Sequence, residues 1–238
     1  MKINKRIVLS LLVILFASTA MAQGKKGAFS FTPQVGVALG KLSGNDIYVA
    51  STTLDLGNKK INQRYRAGFT VGGEVSYQYM EPLAFSLGVF YTQAGTKYDN
   101  YEEDAEKSGW ALVNHDITLS YVSVPVMASL YVANGLAIKA GLEVNFNTQS
   151  KEQYDSGSYT INEEDGLRDY GKLTHTEVDQ KKITSSTTLT LPIGVSYEYE
   201  RVVLDARYHL PLTKAMDDAY HASTSREHLF TISVGYRF

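Results

Sequence analysis

Thr190-Leu191-Pro192-Ile193-Gly194-Val195-Ser196-Tyr197-Glu198-Tyr199 is the stretch that decides the fold. Leu191, Ile193, Val195, Tyr197 and Tyr199 are apolar or aromatic; the residues between them are small or polar. A period of two is the signature of a β-strand with two different faces. The run is close to the roughly 9–11 residues that cross a bilayer as a tilted strand. Three further stretches superimpose on it. Thr70–Tyr79 sets Val71, Val75, Tyr77 and Tyr79 against Thr70, Gly72, Glu74, Ser76 and Gln78. Ser123–Val132 sets Val124, Val126, Ala128 and Leu130 against Pro125, Met127 and Tyr131. Thr231–Phe238 sets Ile232, Val234, Tyr236 and Phe238 against Thr231, Ser233, Gly235 and Arg237. Identical surroundings select identical patterns.

Working outward, the same alternation marks eight segments, at about 29–40, 66–79, 83–95, 116–132, 136–148, 187–199, 202–210 and 228–238. Short links alternate with long ones. Met80-Glu81-Pro82, Ala133-Asn134-Gly135 and Glu200-Arg201 are tight, and Asn134-Gly135 is a type I′ hairpin signal. The connections at about 41–65, 96–115, 149–186 and 211–227 are long and polar, and read as mobile loops. Tight turns on one side and long loops on the other is the asymmetry of outer-membrane barrels, whose turns lie in the periplasm. The expected fold is therefore all-β: an antiparallel up-and-down transmembrane β-barrel of about eight strands.

Alternation alone does not separate a membrane barrel from a soluble one with an apolar lumen. The apolar face is continuous across every segment and would crowd a narrow lumen with aromatics. The opposite face is rich in Gly, Ala, Ser and Thr, which suits a tight interior. Phe29, Phe31, Tyr77, Tyr79, Tyr197, Tyr199, Tyr236 and Phe238 gather beside the short turns, as an interfacial girdle does. Bulges or kinks are expected at mid-strand Pro125 and Pro192. Another is expected near Tyr121-Val122, where Ile117, Leu119 and Tyr121 fall out of phase with Val124 and Val126.

Lys2, Lys5 and Arg6 precede an apolar run from Ile7 to Phe16, and Ala20-Met21-Ala22 is a small-x-small cleavage site. This is the layout of a secretory signal peptide, expected over residues 1–22, with the barrel domain over 23–238. An apolar core of this length falls short of the roughly 20 residues of a spanning helix. The expected location is the outer membrane of a Gram-negative-type bacterium, after export through the inner membrane. The chain has 23 basic and 25 acidic residues and no cysteine. Disulfides and thiolate metal sites are excluded, and nothing suggests a nucleic-acid partner.

Tyr121–Leu136, an aromatic, alternating apolar residues around a proline, then an Asn/Gly turn, resembles the signature hairpin of PorT-like outer-membrane β-barrel proteins, small barrels of the OmpA/OmpX type. Tyr236-Arg237-Phe238 resembles the C-terminal aromatic signal read by barrel-assembly machinery. The resemblance implies outer-membrane lipid as surroundings, that machinery as a partner during biogenesis, and about eight strands. Some family members serve a protein secretion system.

Seven charged residues fall on the expected inner face: Glu74, Lys139, Glu143, Glu198, Asp205, Arg207 and Arg237. An unpaired buried charge is costly, so they are expected to pair as an ionic plug, with Arg207 between Glu74 and Glu143. The other reading is a narrow ion path or a titratable switch. His115, His175, His209, His221 and His228 are placed in loops or at upper strand ends. Of these, His209 and His228, near Ser223, Ser225, Asp217 and Asp218, are the candidates for a lipid-modifying enzyme, but their spacing matches no triad or nucleophile-elbow motif. Gly36–Lys41 falls one residue short of a phosphate loop and is followed by Leu42. Asn162–Gly166 is acidic but lacks the alternating register of a calcium loop. No catalytic or metal residue and no cofactor is expected. The functional expectation is a non-enzymatic membrane scaffold whose loops bind an envelope partner or ligand. The alternatives are an accessory component of outer-membrane protein secretion and a lipid-modifying enzyme.

Overall fold

Strands placed in lipid are stable only when no edge is left unpaired, and the computed structural model shows such a closure. It describes residues 26–44, 47–49, 59–103, 107–162, 164–216 and 225–238. The expected signal peptide, Glu163, Asp217, Asp218, His221 and Ser223 lie outside the described residues. The strands are β1 (Phe29–Ser43), β2 (Ile47–Val49), β3 (Lys59–Ile61), β4 (Gln63–Met80), β5 (Leu83–Tyr98), β6 (Tyr101–Glu102), β7 (Ser108–Ala133), β8 (Leu136–Ile161), β9 (Arg168–Tyr170), β10 (Thr174–Asp179), β11 (Thr187–Tyr199), β12 (Val202–Pro211) and β13 (Arg226–Tyr236). Antiparallel pairing runs β1–β4–β5–β7–β8–β11–β12–β13 and returns to β1, so eight strands close a ring among the described residues.

The alternation sorts residues across the barrel wall. Val35, Leu87, Val126, Ile138, Leu142, Val195 and Ile232 point outward and stay about half exposed. So continuous an apolar surface far exceeds what water tolerates and fits hydrocarbon. Phe29, Tyr77, Tyr79, Phe85, Tyr197, Tyr199 and Tyr236 ring the end with the short turns. The Phe29 and Tyr77 rings lie 4.8 Å apart between centroids. The inner face is small because neighbouring backbones approach closely: a Cβ on Gly194 would lie 2.2 Å from the Ala206 carbonyl oxygen.

Several local expectations are corrected. The register runs unshifted through both mid-strand prolines. Pro125 pairs with Glu143 and Pro192 with His209, while paired positions are skipped on the other side of each, between Leu87 and Phe90 and between Thr190 and Ile193. A missing donor thus costs one step of one ladder, and no bulge is needed. The bulge expected near Tyr121 is present, while the apparent change of phase along β7 is one of lumen chemistry. Ile117, Leu119 and Tyr121 keep the inward phase of Ser123 and Met127 and are buried. The register does shift there, between Ser120 and Tyr121, with the unmatched residue, Thr148, on β8. At Asn134-Gly135 only the glycine has positive φ, +74°, and the ladder shifts between Tyr131 and Ala133. That is a glycine-bulge hairpin, since type I′ needs positive φ at both residues.

Much of the long connections is not irregular loop. β7 and β8 are each 26 residues long, more than twice the roughly 9–11 needed to span. β6 pairs with β7, and β9 and β10 pair with β8, beyond the barrel proper. This upright sheet has its own small core of Ala111, Val113 and Tyr159, packed by Ile161 and Leu173.

Candidate functional site

The period-two rule delivers one side chain in two from every barrel strand into the lumen, where they stack in layers. At the turn end, Glu198 of β11 and Arg237, just past β13, pair at 3.1 Å. Arg237 Nη1 donates to the Tyr131 hydroxyl at 3.3 Å. These residues line a vestibule of about 250 Å3 together with Gln78 and Glu81.

Above it lies a closed ring of four buried charges. Lys139 Nζ of β8 donates to Glu74 Oε1 of β4 at 2.7 Å and to Asp205 Oδ2 of β12 at 2.9 Å. Arg207 of β12 donates through Nη2 to Glu74 Oε2 at 2.9 Å and through Nε to Asp205 Oδ1 at 2.6 Å. Each carboxylate meets both cations, so the group is neutral, and it ties β4 to strands across the lumen. Phe90 supports the guanidinium at 5.7 Å.

Arg207 therefore lies between Glu74 and Asp205, not between Glu74 and Glu143. Glu143 sits one layer up. There it accepts from Thr190 Oγ1 at 3.0 Å, and His209 Nδ1 lies 2.9 Å from it. His209 Nε2 is 3.1 Å from Thr231 Oγ1. Ser123 and Asn145 extend this layer: Ser123 Oγ donates to Asn145 Oδ1 at 2.6 Å. The cavities beside His209 measure about 10 and 20 Å3, room for about one water each. The mouth above is filled with apolar side chains, among them Leu42, Ala94, Ile117, Leu119, Met216 and Leu229.

His209 corrects its sequence placement: it is a lumen residue, buried at 6 % exposure. Its parity with Asp205 and Arg207 was the signal that could have found it. His228 points to the opposite, outer face, where Nδ1 lies 2.6 Å from the Tyr208 hydroxyl. A barrel wall separates the two histidines, so they form no joint lipid-modifying site. His175 pairs with Asp155 on the extension at 2.7 Å. In the acidic run, Asn162 Oδ1 accepts from the Glu164 backbone N–H and Asp165 Oδ1 from that of Leu167. These are turn-forming contacts. Gly36–Lys41 is part of β1.

In the extension, His115 is buried, stacked on Tyr98 at 4.5 Å and met edge-on by Tyr154 at 5.5 Å. Its Nε2 lies 2.7 Å from Glu152 Oε1, and Gln180 Nε2 donates to the other Glu152 oxygen. Burial works against the Glu152 carboxylate, but hydrogen bonds from His115 and Gln180 outweigh it and hold the carboxyl below its ordinary range. Glu152 thus fastens the turn after β10 to β7.

A closed eight-stranded ring with an apolar outer band, an aromatic girdle and a filled lumen defines an integral barrel of the outer membrane. Residues 21–217 match the family described as outer membrane protein beta-barrel domain, and the chain belongs to that family. It resides in the outer membrane, surrounded by lipid. No curated protein matches it. Among solved structures it is similar to Ail, the attachment invasion locus protein of Yersinia pestis, at 14% identity, covering 90% of this chain and 100% of that one with a TM-score of 0.44. Neisserial surface protein A is 16% identical, with coverage of 87% and 97% and a TM-score of 0.40. OprG from Pseudomonas aeruginosa is 14% identical, with coverage of 90% and 98% and a TM-score of 0.38.

Proposed function

We propose that the protein is a closed, non-enzymatic outer-membrane scaffold whose rigid extension beyond the bilayer binds an envelope partner or ligand. One observation carries this reading: β7 and β8 continue far past the bilayer and are widened by β6, β9 and β10 into a sheet with its own core. Joining two barrel strands needs only a few residues. Ordering dozens more costs roughly 1–2 kcal/mol of backbone entropy per residue. An ordered surface held on a rigid barrel is where recognition is usually placed. The lumen serves as a structural plug in this reading, with Lys139 and Arg207 matched to Glu74 and Asp205.

The PorT-like character of Tyr121–Leu136 favours one particular use of that surface, as an accessory component of an outer-membrane protein secretion system. Residues 1–22 would be removed on export. Tyr236 and Phe238, whose rings meet edge-to-face at 4.9 Å, would be read by barrel-assembly machinery.

Photo-crosslinkers placed at exposed Trp110, Leu167 and Tyr170 in intact cells test the scaffold reading. The expected result is a discrete protein or glycan adduct from the extension and none of that kind from a probe at Asn134. A stoichiometric set of envelope proteins would select the secretion role. Lipid adducts alone would overturn partner binding.

A further inference from the structure

We propose that Lys41, Arg226 and His228 form a binding site for the phosphate of an outer-leaflet lipid headgroup. All three lie on the outward face of the barrel. Lys41 continues the phase of Val35, Val37 and Leu39 on β1, and Arg226 and His228 continue the phase of Phe230 and Ile232 on β13. The register sets Lys41 directly beside His228 and Ser43 beside Arg226, so Lys41, His228 and Arg226 occupy neighbouring outward positions on two adjacent strands. Ser43 Oγ donates to the Arg226 carbonyl at 3.2 Å and fixes the strand ends there.

Height along the barrel assigns the ligand. Lys41 follows the girdle residue Phe29 by twelve positions. That is roughly 40 Å of strand, or about 30 Å along the axis at the usual tilt. The apolar band of such a barrel is about 25 Å tall. Lys41 and its neighbours therefore stand just past the hydrocarbon, at the depth where headgroup phosphates lie. A cation lower on this face would be strongly disfavoured; at this depth it meets anionic groups.

Lys41 and His228 are each positioned by an aromatic neighbour. Lys41 Nζ sits 5.9 Å from the centroid of the Tyr65 ring, whose aromatic face belongs to the upper interface. The Tyr208 hydroxyl lies 2.6 Å from His228 Nδ1, which orients the ring; with the hydroxyl donating to Nδ1, Nε2–H is the donor the ring offers. Three donors from a lysine, an arginine and an oriented imidazole suit the three oxygens of a phosphate. The cluster is also one-sided. Among the described residues, the outward positions at this level on β7, β8 and β11 are Val122, Phe146, Thr187 and Leu189, none of them charged.

The test is lipid retention. Purified protein in mild detergent is given equal amounts of phosphatidylcholine and a lipid bearing a phosphate monoester, and native mass spectrometry counts the lipids that stay bound. Wild type is expected to retain the phosphomonoester lipid over phosphatidylcholine by about tenfold or more. Lys41→Gln/Arg226→Gln/His228→Gln is expected to lose that preference. Arg64→Gln/Lys97→Gln, on neighbouring strands, is expected to keep it. Heat-dependent gel migration verifies that each variant is a folded barrel. Tyr208→Phe, which retains Lys41, Arg226 and His228, is expected to lower the preference partway, and stands in should the triple variant fail to fold. Equal retention of both lipids by wild type would overturn the proposal. So would a preference that survives the triple variant or is lost equally in the Arg64/Lys97 variant. Displacement by inorganic phosphate at the same concentration as the lipid would show a general anion site and overturn the lipid assignment.

Discussion

Arg207 donates to carboxylates from two different strands in a lumen without bulk water, so removing it leaves Glu74 and Asp205 to share Lys139 alone, with one buried negative charge uncompensated. Arg207→Ala is expected to destabilise the barrel by roughly 3–5 kcal/mol, the cost of breaking a buried ion pair. Urea unfolding in lipid vesicles would show this as a lower midpoint; an unchanged midpoint would remove the ionic plug as a stabilising device. That these residues face inward was legible from parity alone. Their partners were not, because pairing depends on the stagger between strands, which no single strand records. Asp205, two residues from Arg207 on the same strand, displaced Glu143 as its partner. Glu143 in turn found His209, whose inward phase is plain beside Asp205 and Arg207.

At the scale of the element, the sequence located both ends of six spanning strands to within three residues and misjudged only the far ends of β7 and β8. Outside the bilayer both faces of β8 and β10 meet water or a thin core, so the apolar alternation fades while the backbone pairing continues. Ile117, Leu119 and Tyr121 misled for a different reason: the lumen turns apolar near its mouth, and an inward apolar residue imitates a change of phase. The extension's fastening point gives an acid prediction. A carboxyl held below its ordinary range contributes stability that is complete above its unfolded value, about 4.3 for glutamate. That contribution is lost as pH falls through the lower folded value. Glu152 behaves this way. Asp155 does too, through hydrogen bonds from Asn114 and His175. Hydrogen exchange across residues 150–184, corrected for its intrinsic pH dependence, is expected to rise on acidification below about pH 4 while the spanning strands stay protected. Glu152→Gln should show part of that loosening already at neutral pH; exchange independent of pH would refute the role of the clasp.

For the whole molecule, the neutral ring of four charges in the middle and the apolar fill at the mouth obstruct the lumen among the described residues. Planar bilayers containing the protein are expected to show no steady conductance above that of lipid alone, at either polarity. A reproducible open level would mean that the layers part, and would move the reading toward a pore.

The continuation of β8 from Phe146 to Ile161 has a mechanical meaning. Fifteen residues of tilted strand lift the end of the sheet about 40 Å above the lipid boundary. Because strand and barrel are one hydrogen-bonded piece, whatever grips the tip is held at a set distance and heading from the cell surface. A pull on that tip passes along the ladders of β7 and β8 directly into the wall of the barrel.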